Sequence, residues 1–162
     1  MKRTFKLRVF DKAGTLNRLT SLFVRRQINI VSITATPTLE EGISEITFIA
    51  EVPDNEKQRT IIQQLEKQVN TLLVQDITST NSFNRELLLI KLKKPFQQSD
   101  LMQVIEPYDA LVSVLKEDGQ YTFIQATGPQ YTLNQLLDDL SSFQIDQVAR
   151  TGLSLIHISE PT

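Results

Sequence analysis

Cysteine is absent from the 162-residue chain, and histidine occurs once, as His157 near the C-terminal end. The first absence removes disulfides, thiolate nucleophiles and cysteine-ligated zinc together. The second leaves any Ser-His-Asp arrangement or histidine metal cage dependent on a terminal tail, whereas such chemistry is ordinarily held on packed elements. No Gly-rich phosphate cradle, metal-ligand cluster or activated nucleophile stands elsewhere, so no catalytic site, metal or cofactor of its own is expected. Glycine and proline are sparse, at 5 and 6 copies, and 40% hydrophobic with 22% charged residues is a globular composition, not a disordered one. Positive charge is not in excess either: 17 Lys+Arg face 19 Asp+Glu, a net −2. Nothing is left over to neutralise a phosphate backbone, so nucleic acid is not an expected ligand. No apolar run approaches the ~20 residues needed to cross a bilayer, and Met1-Lys2-Arg3 leads into an alternating pattern, not a signal-peptide core. The expectation is a cytoplasmic chain with no membrane partner.

What the sequence does contain is patterning. Residues 4–10 alternate, with Phe5, Leu7 and Val9 on one face and Thr4, Lys6 and Arg8 on the other, the signature of a half-buried strand. Leu16, Leu19, Leu22 and Phe23 then recur at spacings of three and four, which puts them on one face of a helix ending near Arg26. The β-branched runs Ile28 to Pro37 and Ile43 to Val52, separated by Leu39-Glu40-Glu41-Gly42, predict a hairpin. After Pro53-Asp54-Asn55, Ile61, Ile62, Leu65 and Val69 repeat at helical spacing, and Leu72 to Ile77 returns to a strand.

The same order then begins again. The polar stretch 78–82 has linker composition, and beyond it Glu86 to Leu92 reads as a strand. Ser99 is a plausible N-cap for a short helix through Leu101, Met102 and Ile105, three residues read as core, with Pro107 ending it. Leu111 to Leu115 and Tyr121 to Thr127 flank the Asp118-Gly119 turn; Leu133, Leu136, Leu137 and Leu140 form another amphipathic helix, and a strand follows around Ile145 to Ala149. The fold class is therefore α+β, two tandem ferredoxin-like βαββαβ domains: residues 1–78, a linker at 79–84, residues 85–152, and a tail at 153–162. In such a unit both helices lie on one face of the sheet, and a second copy is the natural cover for the other.

Asp11-Lys12-Ala13-Gly14-Thr15-Leu16 falls at the first strand-to-helix junction, where unpaired backbone N–H groups and the positive helix end favour an anion. Gly14 permits unusual dihedrals and close approach, and the Asp11 carboxylate can accept hydrogen bonds from an ammonium group. The loop thus offers partners for both ends of a free α-amino acid. It is equally open to a plainer reading, a helix start capped by Asp11, just as Asn29 could simply satisfy backbone groups at a strand start.

The run Asp11-x-x-Gly14-x-Leu16-x-Arg18, Leu22-Phe23, Arg26, Ile28-Asn29-Ile30-x-Ser32-Ile33-Thr34 closely resembles the opening ACT domain of acetolactate synthase small subunits, also called acetohydroxyacid synthase regulatory subunits. Arg85-Glu86-Leu87-x-Leu89-Ile90-Lys91 is similar to the family's start of the second domain, and Val148-Ala149-Arg150-Thr151-Gly152 to its C-terminal signature. The resemblance implies a homodimer through the ACT domains, binding and activation of a catalytic large subunit, and feedback inhibition by a branched-chain amino acid, usually valine. It implies that Asp11, Ala13, Gly14, Thr15 and Leu16 of one copy contact the effector, with Asn29 and Ile30 facing them from the other. Thiamine diphosphate, magnesium and FAD are then expected on the catalytic partner. The sequence departs from the family at Asp11, often Asn there, at Gln27, frequently Gly, in a shorter helix before Pro107, and after Gly152, where Ile156 to Thr162 resembles translated vector or adapter sequence. A stand-alone tandem ACT-type module controlling another enzyme or a transporter would share this fold and ligand.

Overall fold

The computed structural model describes residues 1–78 and 82–157. The chain divides into two compact units, Met1–Ser82 and a second from Phe83.

In the first unit, β1 (Lys2–Phe10), α1 (Thr15–Arg25), β2 (Asn29–Pro37), β3 (Ile43–Glu51), α2 (Asn55–Lys67) and β4 (Thr71–Asp76) follow the expected βαββαβ order. The sheet order is β2-β3-β1-β4, every neighbouring pair antiparallel. The alternation of β1 decides which face is covered: Phe5, Leu7 and Val9 are buried with Ile46, Phe48 and Ala50 of β3, against Leu19, Leu22 and Phe23 of α1 and Ile61 and Leu65 of α2. Phe23 anchors this core, its ring centroid 4.9 Å from Phe48 and 6.3 Å from Phe5. Each such side chain contributes roughly 1.5–3 kcal/mol by leaving water. The opposite face carries Lys6 and Arg8, which reach Glu45 at 3.6 Å and Glu40 at 3.1 Å. Both cations are partly covered, the Lys6 side chain 13% and the Arg8 side chain 36% exposed.

Two expected core positions lie elsewhere. At the start of α1 the buried residue is Thr15, while Leu16 is 43% exposed; the 3.6-residue repeat places Thr15 nearer the middle of the stripe set by Leu19, Leu22 and Phe23. Val69 is exposed because α2 ends at Lys67, two residues before it. The start of α2 is capped as its sequence suggests, Asp54 accepting from the Lys57 N–H at 2.8 Å.

The end of α1 explains Gln27. The Ile28 N–H donates to the Phe23 carbonyl at 2.9 Å and the Gln27 N–H to Val24 at 3.0 Å, the two bonds of a Schellman motif, with Ile28 packed in the Phe23 core. That motif requires a left-handed residue after the cap, and Gln27 has φ 56. A side chain there costs ~1–2 kcal/mol, partly offset by the ~0.5–1 kcal/mol extra entropy a glycine loses on folding. Gln27→Gly is therefore expected to stabilise the first unit by about 0.5–1 kcal/mol in urea unfolding; an unchanged or lower midpoint would contradict this strain.

In the second unit β5 (Ser82–Lys93), α3 (Gln98–Ile105), a 3₁₀ segment (Glu106–Leu111), β6 (Val112–Glu117), β7 (Tyr121–Gly128), α4 (Gln130–Asp139), β8 (Gln144–Arg150) and β9 (Ser154–His157) repeat the topology. The order is β6-β7-β5-β8, with β9 also pairing with β5. Leu88, Ile90 and Leu92 of β5, Ile124 and Ala126 of β7, and Leu101, Leu133 and Leu136 of the helices form the core. The hairpin turn is closed by Asp118, whose carboxylate accepts from the Gln120 and Tyr121 N–H groups at 2.8 Å each and is held below the usual carboxylate range by them. Tyr108 donates to Asp139; burial and that carboxylate push its phenol up to about 12.

Three local readings change in this unit. Ser82, Phe83 and Asn84, read as linker, belong to β5, whereas the linker positions 79–81 lie outside the described residues. Gln97, not Ser99, precedes α3, because its carbonyl already accepts from Asp100 and Leu101 and Ser99 falls inside the first turn. Met102 is 50% exposed, one position round the helix from the buried Leu101 and Ile105. In the tail, 154–157 form β9, and 158–162 lie outside the described residues.

The two sequence signatures of this unit meet in space. Glu86 on β5 is buried, and Arg150 at the end of β8 grips it bidentately, Nε to Oε1 at 2.6 Å and Nη2 to Oε2 at 3.2 Å. The remaining guanidinium nitrogen donates to Asn134 Oδ1 on α4 at 2.8 Å. Three elements are pinned by one charge-assisted cluster.

Candidate functional site

β1 delivers Phe10 to the sheet end, and the chain then turns into α1 through a loop whose backbone is held at both sides. The Asp11 N–H donates to the Gly42 carbonyl at 2.7 Å, Lys12 to Phe10 at 2.9 Å, and Thr15 to Lys12 at 3.2 Å. Gly14 is the N-cap of α1, with φ 83 and ψ −6, and no side chain caps the helix. Asp11 thus does not serve as the cap that its sequence position allowed. The helix ladder starts with the Arg18 N–H donating to the Gly14 carbonyl, so among the described residues the Leu16 and Asn17 N–H groups meet no protein acceptor. Donors at a positive helix end, with no acidic residue in the first turn, suit a carboxylate.

Behind this loop lies a cavity of about 530 Å³. Asp11, Gly14 and Leu16 stand on its loop side, and Val9, Ala35 and Ile46 form an apolar wall from β1, β2 and β3. A Cβ built on Gly14 meets nothing within 4 Å, which leaves room beside the loop. The arrangement offers an anion site, a nearby carboxylate for a cation, and apolar surface for a branched side chain.

Of the expected site residues, Asp11, Gly14, Thr15 and Leu16 line this cavity and Ala13 does not. Asn29 and Ile30 are at the other end of the sheet: Asn29 pairs with Glu51, itself opposite Lys2, whereas the loop follows Phe10. One protomer therefore does not bring the two halves of the set together. Val9, Ala35 and Ile46 were missed as site residues because they read as strand positions. Their convergence depends on a bulge between Ile30 and Ser32, which sets Ala35 opposite Ile46.

The profile of the acetohydroxyacid synthase small-subunit-like ACT domain matches residues 5–73, and that of the small subunit of acetolactate synthase matches residues 85–158. The acetolactate synthase small subunit of Bacillus subtilis is 37% identical over 94% of this chain and 88% of its own length. This chain belongs to the acetolactate synthase small-subunit family. The small subunit of Lactococcus lactis is 33% identical over 94% of this chain and 96% of its own. The crystal structure of the acetolactate synthase small subunit from Thermotoga maritima shares the fold, with TM-score 0.84 over 99% of both chains at 23% identity. In family terms the Asp11 loop falls within the ACT match, and the Glu86–Arg150 clamp joins the two ends of the second match. Membership assigns the chain a regulatory-subunit role. Among the described residues no helix is long and apolar enough to cross a membrane.

Proposed function

We propose that the chain acts in the cytoplasm as the regulatory subunit of a thiamine-diphosphate-dependent acetolactate synthase, binding and activating the large catalytic subunit and inhibiting it when a branched-chain amino acid accumulates. The observation that carries the sensing half is the pair of helix N–H donors at Leu16 and Asn17, opened by the left-handed Gly14 beside an apolar cavity. The backbone donors would take the ligand carboxylate, Asp11 its ammonium, and the wall of Val9, Ala35 and Ile46 its branched tail, with valine the ligand to test first.

A dimer completes this site. β2 is an edge strand with Val31 and Ile33 exposed, and an unpaired edge is a template for another chain. Antiparallel pairing of β2 with its twofold copy would carry the partner's Asn29 and the partner's Ile30 toward the sheet end that holds the Asp11 loop. Thiamine diphosphate, magnesium and FAD are assigned to the large subunit and none to this chain. Regulation requires the amino acid to bind one quaternary state more tightly than another, and a coupling of ~1–3 kcal/mol would give a 5- to 150-fold effect.

The test is reconstitution with the large subunit. Adding this chain is expected to raise acetolactate formation and valine to lower it, with calorimetry reporting valine binding to the isolated dimer. No activation would remove the regulatory assignment to that enzyme; no binding of valine, leucine or isoleucine would remove the sensing half alone.

A further inference from the structure

We propose that Ala35 sets the side-chain selectivity of the amino-acid site, and that the room it leaves makes isoleucine a tighter ligand than valine. The proposal rests on the sensing reading above and names the residue that decides which branched-chain amino acid is sensed.

The apolar end of the cavity has a floor and a roof. The floor is built by register: Ala35 of β2 lies opposite Ile46 of β3, and Ile46 opposite Leu7 of β1, so the three form one row across the sheet. Val9 stands two residues beyond Leu7 and shares its face. The roof is the start of α1, where Leu16 and Thr20, four residues apart, share one helix face and line the cavity.

These positions differ in what holds them. Val9 and Ile46 are 2% and 3% exposed and belong to the core of the first unit, so the fold fixes them whatever the ligand. The Thr20 hydroxyl is committed to the Leu16 and Asn17 carbonyls at 3.0 and 3.1 Å. Ala35 is exposed on the cavity floor and contributes a single methyl group. Strand propensity does not account for it. Ile30, Val31, Ile33, Thr34 and Thr36 of the same strand are β-branched, as strands favour, and the alanine falls at the position that faces the cavity.

The cavity, at about 530 Å³, lies within the ~300–1,000 Å³ of small-molecule sites, so volume does not restrict the ligand to valine. Isoleucine is the informative comparison, because it keeps valine's β-branch and adds one CH₂. Burying that group against Ala35 and Ile46 is worth roughly a fourfold gain in affinity. A larger residue at position 35 takes the same space away, and a pocket that denies room for one methylene discriminates by roughly 10- to 200-fold.

Calorimetry with isoleucine and with valine, on the full-length wild type and on Ala35→Val, tests this. Wild type is expected to bind isoleucine about fourfold tighter than valine. In Ala35→Val that ratio is expected to fall at least roughly tenfold, which reverses the order. The ratio is the readout because a disturbed fold weakens both ligands alike, and the wild-type ratio stands as a test even if the variant unfolds. Wild type binding valine as tightly as isoleucine, or tighter, would overturn the proposal and leave the sensing reading intact. An unchanged ratio in Ala35→Val would overturn the role of Ala35. Failure of wild type to bind valine, leucine or isoleucine would remove the sensing reading and this proposal with it.

Discussion

Arg150→Ala is expected to destabilise the second unit by about 1–3 kcal/mol, the range for leaving a buried acceptor without its partner, because Glu86 is buried while the Arg150 side chain is 30% exposed. The reason is the position of Glu86, 4% exposed on a central strand, with both carboxylate oxygens committed to Arg150. Removing the guanidinium takes both partners from a carboxylate side chain that is 2% exposed and releases Asn134 on α4. Glu86→Leu with Arg150→Met should recover most of the loss, since the pair's net worth against well-packed apolar groups is near zero even though half of it is costly. Hydrogen exchange at the β5 amides, compared with those of β1, isolates the second unit from the first. A loss below about 1 kcal/mol in Arg150→Ala would place the carboxylate in water and refute the buried clamp.

Gly14 separates backbone from charge in the amino-acid site. At φ +83 any side chain is strained, by ~1–2 kcal/mol for most residues and less for Asp and Asn, which visit this region more readily. Nothing within 4 Å would meet the new Cβ, so crowding by the protein is not a factor. Gly14→Ala is therefore the control for conformation, and Gly14→Asp, with the milder backbone strain, adds a carboxylate next to the donors proposed for the ligand's own. Valine affinity in calorimetry is expected to be at least tenfold lower in the Asp variant than in the Ala variant, a difference of about 1.4 kcal/mol. Part of it should return at high salt, which screens like charges. Equal losses in both variants would assign Gly14 a purely conformational role; unchanged affinity in both would remove it from the site.

How much of this was legible in the sequence varies with distance along the chain. The alternation of Phe5, Leu7 and Val9 and the stripe of Leu19, Leu22 and Phe23 are local patterns, and both appear in the core as read. The patterning failed at element ends. Leu16, Val69 and Met102 fit a helical spacing, but where a helix begins and ends decides whether such a position meets the sheet, and capping bonds such as those at Gln97 are invisible to periodicity.

The amino-acid sequence by itself determined the tandem βαββαβ order, the family, and the place of the Asp11–Leu16 loop at a strand-to-helix junction, because each depends on neighbours within a few residues or on motifs read in line. Tertiary structure alone decided that Val9, Ala35 and Ile46 wall the cavity, that Asn29 and Ile30 sit at the far end of their own sheet, and that Glu86 and Arg150, 64 positions apart, form one clamp. The physical reason is register. A bulge between Ile30 and Ser32 resets which residues of β2 face β3's buried side, and such a shift moves every later side chain of the strand without leaving a mark in the local pattern.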